Sequence, residues 1–128
     1  MLLPDWRGNN RIDSLRNIVR DPRVSVMFLV PGCNNVVRIN GSAALTADPE
    51  FTDRFEKKGI KPRTVIVITL GEMYFQCAKA FMRSRLWTSG DESQNVPTAG
   101  SFVKEMQSDF DAEGYDAAYA DYAKPKMW

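Results

Sequence analysis

The sequence predicts a mainly β fold with flanking helices (α+β), and three observations predict it. Residues 24–30 (VSVMFLV), 37–43 (VRINGSA) and 64–70 (TVIVITL) are rich in β-branched and apolar residues and are bounded by turn signals such as Pro31-Gly32 and Gly71-Glu72. Between and after them, apolar residues return at the three-and-four spacing of helices. With 44 % apolar and 26 % charged residues in 128, the composition supports one ordinary domain with a real core.

The chain opens with Met-Leu-Leu-Pro-Asp, which reads as the last residues of a strand. A helix follows over Arg11 to Arg20, because Ile12, Leu15, Ile18 and Val19 share one face. Asn10 is its expected N-cap, Asp13 sits where a capping-box acid would, and Pro22 ends it. The near-continuous apolar run Val24 to Val30 predicts a strand buried on both faces. After the turn at Cys33-Asn34-Asn35, Val37, Ile39, Gly41 and Ala43 alternate with Arg38, Asn40 and Ser42, so the two runs form an antiparallel hairpin with one polar face.

Asp48-Pro49-Glu50 starts a short helix through Phe51 and Phe55, with Gly59 as its stop. The run from Thr64 to Leu70 is another buried strand, and Met73 to Phe75 extend it past a bend at Gly71-Glu72. From Cys77 the period changes again: Ala78, Phe81, Met82 and Leu86 share a helical face in a helix reaching Trp87. Beyond the loop from Thr88 to Gly100, a helix carries Phe102, Val103, Met106 and Phe110. An acidic tail then places Tyr115, Tyr119 and Tyr122 on one side, so that about 98–123 is expected to cover the sheet.

Composition also narrows function. A net charge of +1 with no nucleic-acid motif argues against nucleic acid as a partner. No apolar run approaches the ~20 residues of a membrane span, and the chain lacks a signal-peptide pattern, which makes the cytoplasm the expected location. Two separated cysteines and no histidine exclude a Ser-His or Cys-His nucleophile and leave no metal set. A bound cofactor is therefore the expected carrier of any chemistry.

The order Gly8-Asn9-Asn10-Arg11, amphipathic helix, Asp21-Pro22-Arg23-Val24-Ser25, apolar strand, Val37-Arg38-Ile39-Asn40-Gly41 resembles the pyridoxamine 5'-phosphate oxidase-like family of FMN-binding split barrels. Cys77-Ala78-Lys79-Ala80-Phe81-Met82-Arg83-Ser84-Arg85-Leu86-Trp87 resembles one bacterial branch of it. The resemblance implies a split β-barrel lacking its opening strands, FMN held at a homodimer interface, and an FMN-dependent oxidoreductase acting on a small molecule. A non-catalytic binding or dimerisation module, or a relative using a deazaflavin, is the alternative.

Three groups of site residues follow. The family's phosphate-gripping Ser-Arg-Lys falls on Asn9, Asn10 and Arg11, and Ser14 lies one turn further on; a helix N-terminus and an arginine suit a phosphate. Without the resemblance, a plain cap with Arg11 and Ser14 in water is favoured. Arg38 is the second candidate, balanced against an ordinary solvent-facing sheet position. Lys79, Arg83 and Trp87, four apart, form the third, which the resemblance turns toward the flavin of the other subunit; the alternative is a solvated basic face with Trp87 as a core anchor. Lys61 and Arg63 read as plain solvation.

Overall fold

The computed structural model describes residues 1–8 and 10–127, and the chain divides into two compact units, 1–88 and 89–128. The first unit is built on an antiparallel four-stranded sheet: β1 (Leu2–Asp5), β2 (Arg23–Phe28), β3 (Val36–Thr46) and β4 (Thr64–Gln76), in the order β1-β4-β3-β2. It forms the curled, half-barrel part of a split barrel with flanking helices.

The two long strands occupy the centre, and their apolar residues are the ones that become covered. Among the described residues, Val36, Ile39 and Ala43 of β3 and Val65 and Ile68 of β4 form the buried hydrophobic core. A bulge interrupts their ladder: Asn40 pairs with Glu72 and Gly41 with Leu70, which leaves Gly71 as the extra residue. The expected bend at Gly71-Glu72 is this bulge, and β4 continues through it to Gln76. A Cβ on Gly41 would stand 2.1 Å from the Thr69 carbonyl oxygen, so the strands approach closely only because this residue is glycine.

The apolar run from Val24 is an edge strand of this chain rather than one buried on both faces. β2 ends at Phe28, and Met27, Phe28, Leu29 and Val30 are all exposed. A continuous apolar run has the same pattern whether a neighbour covers it or not, so the sequence could not distinguish the two. The registers set Phe28, Val37 and Phe75 in one row and Val26, Ile39 and Met73 in the next. Phe75 at 81 % and Met73 at 68 % exposure make this end of that face an open apolar surface.

α1 (Asp13–Arg20) is shorter than the helix expected from Arg11. Asn10 adopts a left-handed φ of 61°, which is not the extended conformation of an N-cap, and Ile12 takes that position without a side-chain cap. Its apolar side, Ile12, Leu15 and Val19, forms a groove with Leu45 of β3. α2 (Pro49–Thr52) is capped by Asp48, whose carboxylate accepts from the Glu50 N–H, and continues as one 3₁₀ turn to Phe55. Gly59 is not its stop. It belongs with Lys58 to a two-residue turn in which Lys57 and Ile60 exchange both backbone hydrogen bonds at 2.9 Å.

α3 (Lys79–Ser84) also ends before the expected residue, because Arg85 turns left-handed at φ 52°. The Leu86 N–H then reaches the Phe81 carbonyl, closing a Schellman-type end. In the second unit, α4 (Ala99–Met106) is capped by Thr98 and α5 (Ala112–Ala123) by Asp111; Phe110 lies between them. Asp116 accepts from the Gly100 N–H, tying the two helices where glycine allows contact. Among the described residues no helix is long and apolar enough to cross a membrane.

Candidate functional site

The segment from Asp5 to Ile12 runs from β1 into α1, and the segment from Ile60 to Arg63 runs from the Lys57–Ile60 turn into β4. Because β1 and β4 are paired, with Asp5 opposite Thr64, these two connections lie side by side. They enclose a cavity of about 600 Å³ lined by Asp5, Trp6, Arg7, Gly8, Asn10, Arg11, Ile12, Ile60, Lys61 and Arg63. That is the volume range of small-molecule sites.

The lining is strongly cationic, since Arg7, Arg11, Lys61 and Arg63 face a single carboxylate, that of Asp5. Asp5 accepts a hydrogen bond from the Thr64 hydroxyl at 3.0 Å. Arg11 lies 3.6 Å from Asp13, and both side chains are largely exposed. Lys61 reaches Asp53 at 3.0 Å and Glu56 at 3.5 Å, and the hydrogen bond it donates to Asp53 holds its pKa above the ordinary lysine value. Pro62 is buried between two exposed cations, and its ring fixes its own φ.

Of the sequence-predicted residues, Asn10 and Arg11 line this cavity, whereas Ser14 is exposed on the first turn of α1 and is not among the lining residues. Asn9 lies outside the described residues. The other four candidates sit at the opposite end of the sheet. Arg38 lies between Met27 and Tyr74 in the ladder, and Asn40 beside it donates to Glu72 at 2.9 Å. The Arg38 Nε and the Gln76 Oε1 are buried without a hydrogen-bond partner among the described residues.

Lys79 and Arg83 are exposed on α3, but Trp87 lies beyond its end and so does not continue their stripe. Its indole N–H donates to the Cys33 carbonyl at 2.9 Å, and its ring stacks on Phe81 with centroids 6.1 Å apart. At about 3.3 Å per residue, roughly 30 Å of β4 separates Thr64, beside the cavity, from Tyr74, beside Arg38. Within one chain the cavity group and the Arg38 group are therefore two places.

Sequence reasoning missed Arg7, Trp6, Lys61 and Arg63. Nothing in their local pattern marks them, because the pairing of β1 with β4, 59 residues apart at Asp5 and Thr64, is what makes them neighbours. Among the described residues no group of three His, Cys, Asp or Glu is placed to hold a metal ion.

No curated protein and no solved structure matches the chain. A family model described as pyridoxamine 5'-phosphate oxidase matches residues 1–77, which span β1 to β4 and both connections that line the cavity. With more than half of its length so matched, the chain belongs to the pyridoxamine 5'-phosphate oxidase-like family of flavin-binding split barrels.

Proposed function

We propose that this protein is an FMN-dependent oxidoreductase that acts as a homodimer on a small-molecule substrate. The observation that carries the reading is the cationic cavity at the glycine-led start of α1: Arg11 and the polar backbone around Asn10 suit a phosphate, and Trp6, Ile12 and Ile60 offer apolar surface to the rest of a flavin. When bound, FMN supplies the redox step by accepting or donating a hydride. The protein's own residues bind and orient it.

The dimer accounts for the second group of residues. Arg38, Lys79 and Arg83 meet the cavity only if they come from another copy, and the exposed row of Phe28 and Phe75 beside them is a surface suited to burial against one. Absorbance titration of the purified chain with FMN, alongside sedimentation at micromolar concentration, tests both parts. Arg11→Ala is expected to weaken FMN binding by about tenfold, the size of a lost charged hydrogen bond. Arg23→Ala should change it less than about twofold, since Arg23 is engaged with Asp21 and does not line the cavity. Equal losses would move the phosphate elsewhere. A monomer that ignores FMN would overturn the reading.

A further inference from the structure

A single phosphate needs only one wall of the cavity. Arg7 and Arg11 belong to the connection that leads from β1 into α1, while Lys61 and Arg63 come from the connection that follows the Lys57–Ile60 turn. The second pair is built with some care: Pro62 between them is buried, and Lys61 is held by Asp53 and Glu56. An ammonium has three donors, so two carboxylates leave one for a third oxygen. Lys57 holds a further charge near one lining residue, its Nζ 5.8 Å from the ring centroid of Trp6.

We propose that Lys61 and Arg63 form a second anion subsite, so that what fills the cavity carries at least two anionic groups, phosphate or carboxylate. One is taken at Asn10 and Arg11; the other is taken at Lys61 and Arg63. The assignment of the first group to FMN rests on the function proposed above, but the second subsite does not depend on it. The second group comes either from the second phosphate of a dinucleotide or from an acid on the molecule that reacts with the flavin.

The test is calorimetric titration of the full chain with inorganic phosphate and with tripolyphosphate at one low ionic strength. Tripolyphosphate is expected to bind the native protein about tenfold more tightly than phosphate, an increment of one further charge-assisted contact. In Lys61→Ala/Arg63→Ala that advantage should fall to within about twofold while phosphate affinity is kept. Arg54→Ala/Lys58→Ala, which removes the same charge from outside the lining, should keep the full advantage. An advantage that is absent from the native protein, that survives in Lys61→Ala/Arg63→Ala, or that is lost equally in Arg54→Ala/Lys58→Ala would overturn the proposal. FMN and FAD titrations identify the source: FAD binding more tightly than FMN, with the gain lost in Lys61→Ala/Arg63→Ala, assigns the second group to a dinucleotide, and equal binding assigns it to the reacting molecule. Failure of both flavins to bind, with the tripolyphosphate preference intact, would retire the flavin reading and leave the subsite standing.

Discussion

The indole N–H of Trp87 donates to the carbonyl of Cys33 at 2.9 Å, across 54 residues of sequence. The bond joins the turn after α3 to the loop that connects β2 and β3, and Phe81 stacks against the same ring. Trp87→Phe keeps an aromatic ring and removes the donor, leaving a carbonyl without its partner. The variant is expected to lose about 1 kcal/mol by chemical denaturation; an unchanged midpoint would show that water replaces the bond at no cost.

Gly41→Ala should be the most damaging single methyl in the sheet. A Cβ there meets the Thr69 carbonyl oxygen and carbon at 2.1 and 3.1 Å, and these are backbone atoms of a paired strand that cannot rotate aside. The expected loss is about 3 kcal/mol, read as a shift in denaturation midpoint. Gly71→Ala, whose nearest neighbour would be 3.5 Å away, is the milder comparison.

Lys58→Asn is expected to stabilise. Lys58 and Gly59 both have positive φ, 52° and 77°, and Lys57 and Ile60 close the turn with two hydrogen bonds, the geometry in which Asn-Gly is the favoured pair. A non-glycine residue with a longer side chain is strained there, so the gain should be about 0.5 kcal/mol. A lower melting temperature would mean that the Lys58 charge contributes more than its backbone costs.

Asp21 should titrate far into acid. Three hydrogen bonds from the Arg23 side chain and one from its backbone pull the carboxyl pKa from 3.8 down to about 2. A depressed folded-state value means the ionised form is favoured by folding; that contribution is complete above pH 3.8 and fades as the pH falls through about 2. Carboxyl carbon NMR should find the midpoint near 2 in the native protein and nearer 3.8 in Arg23→Ala. The pair is exposed, so Asp21→Asn at neutral pH should leave stability almost unchanged.

Much of this architecture is legible in the residues because burial writes a period. The central strands were readable from Val37 to Ala43 and from Thr64 to Leu70, where apolar residues mark the covered positions. The end of α1 was readable from Pro22. Its start was not, because Asn10 is as suited to a left-handed turn as to a cap, and only the backbone φ separates the two. The same limit hid half of the cavity: Lys61 and Arg63 are indistinguishable from solvated cations until the Lys57–Ile60 turn and the pairing of β1 with β4 set them beside Arg7 and Arg11.

The bulge at Gly71 acts on β4 as a reading frame acts on a message. On the Thr64 side of it the even-numbered residues Ile66, Ile68 and Leu70 share a face with Leu45, Ala43 and Gly41; on the Gln76 side the odd-numbered Met73 and Phe75 share that same face with Ile39 and Val37. Pairing Gly71 with Asn40 in an unbroken ladder would instead exchange the faces of everything after it. Glu72 and Tyr74 would then stand opposite Ile39 and Val37 in place of Met73 and Phe75, so that taking one glycine into the ladder would turn an apolar surface into a polar one without altering a single side chain.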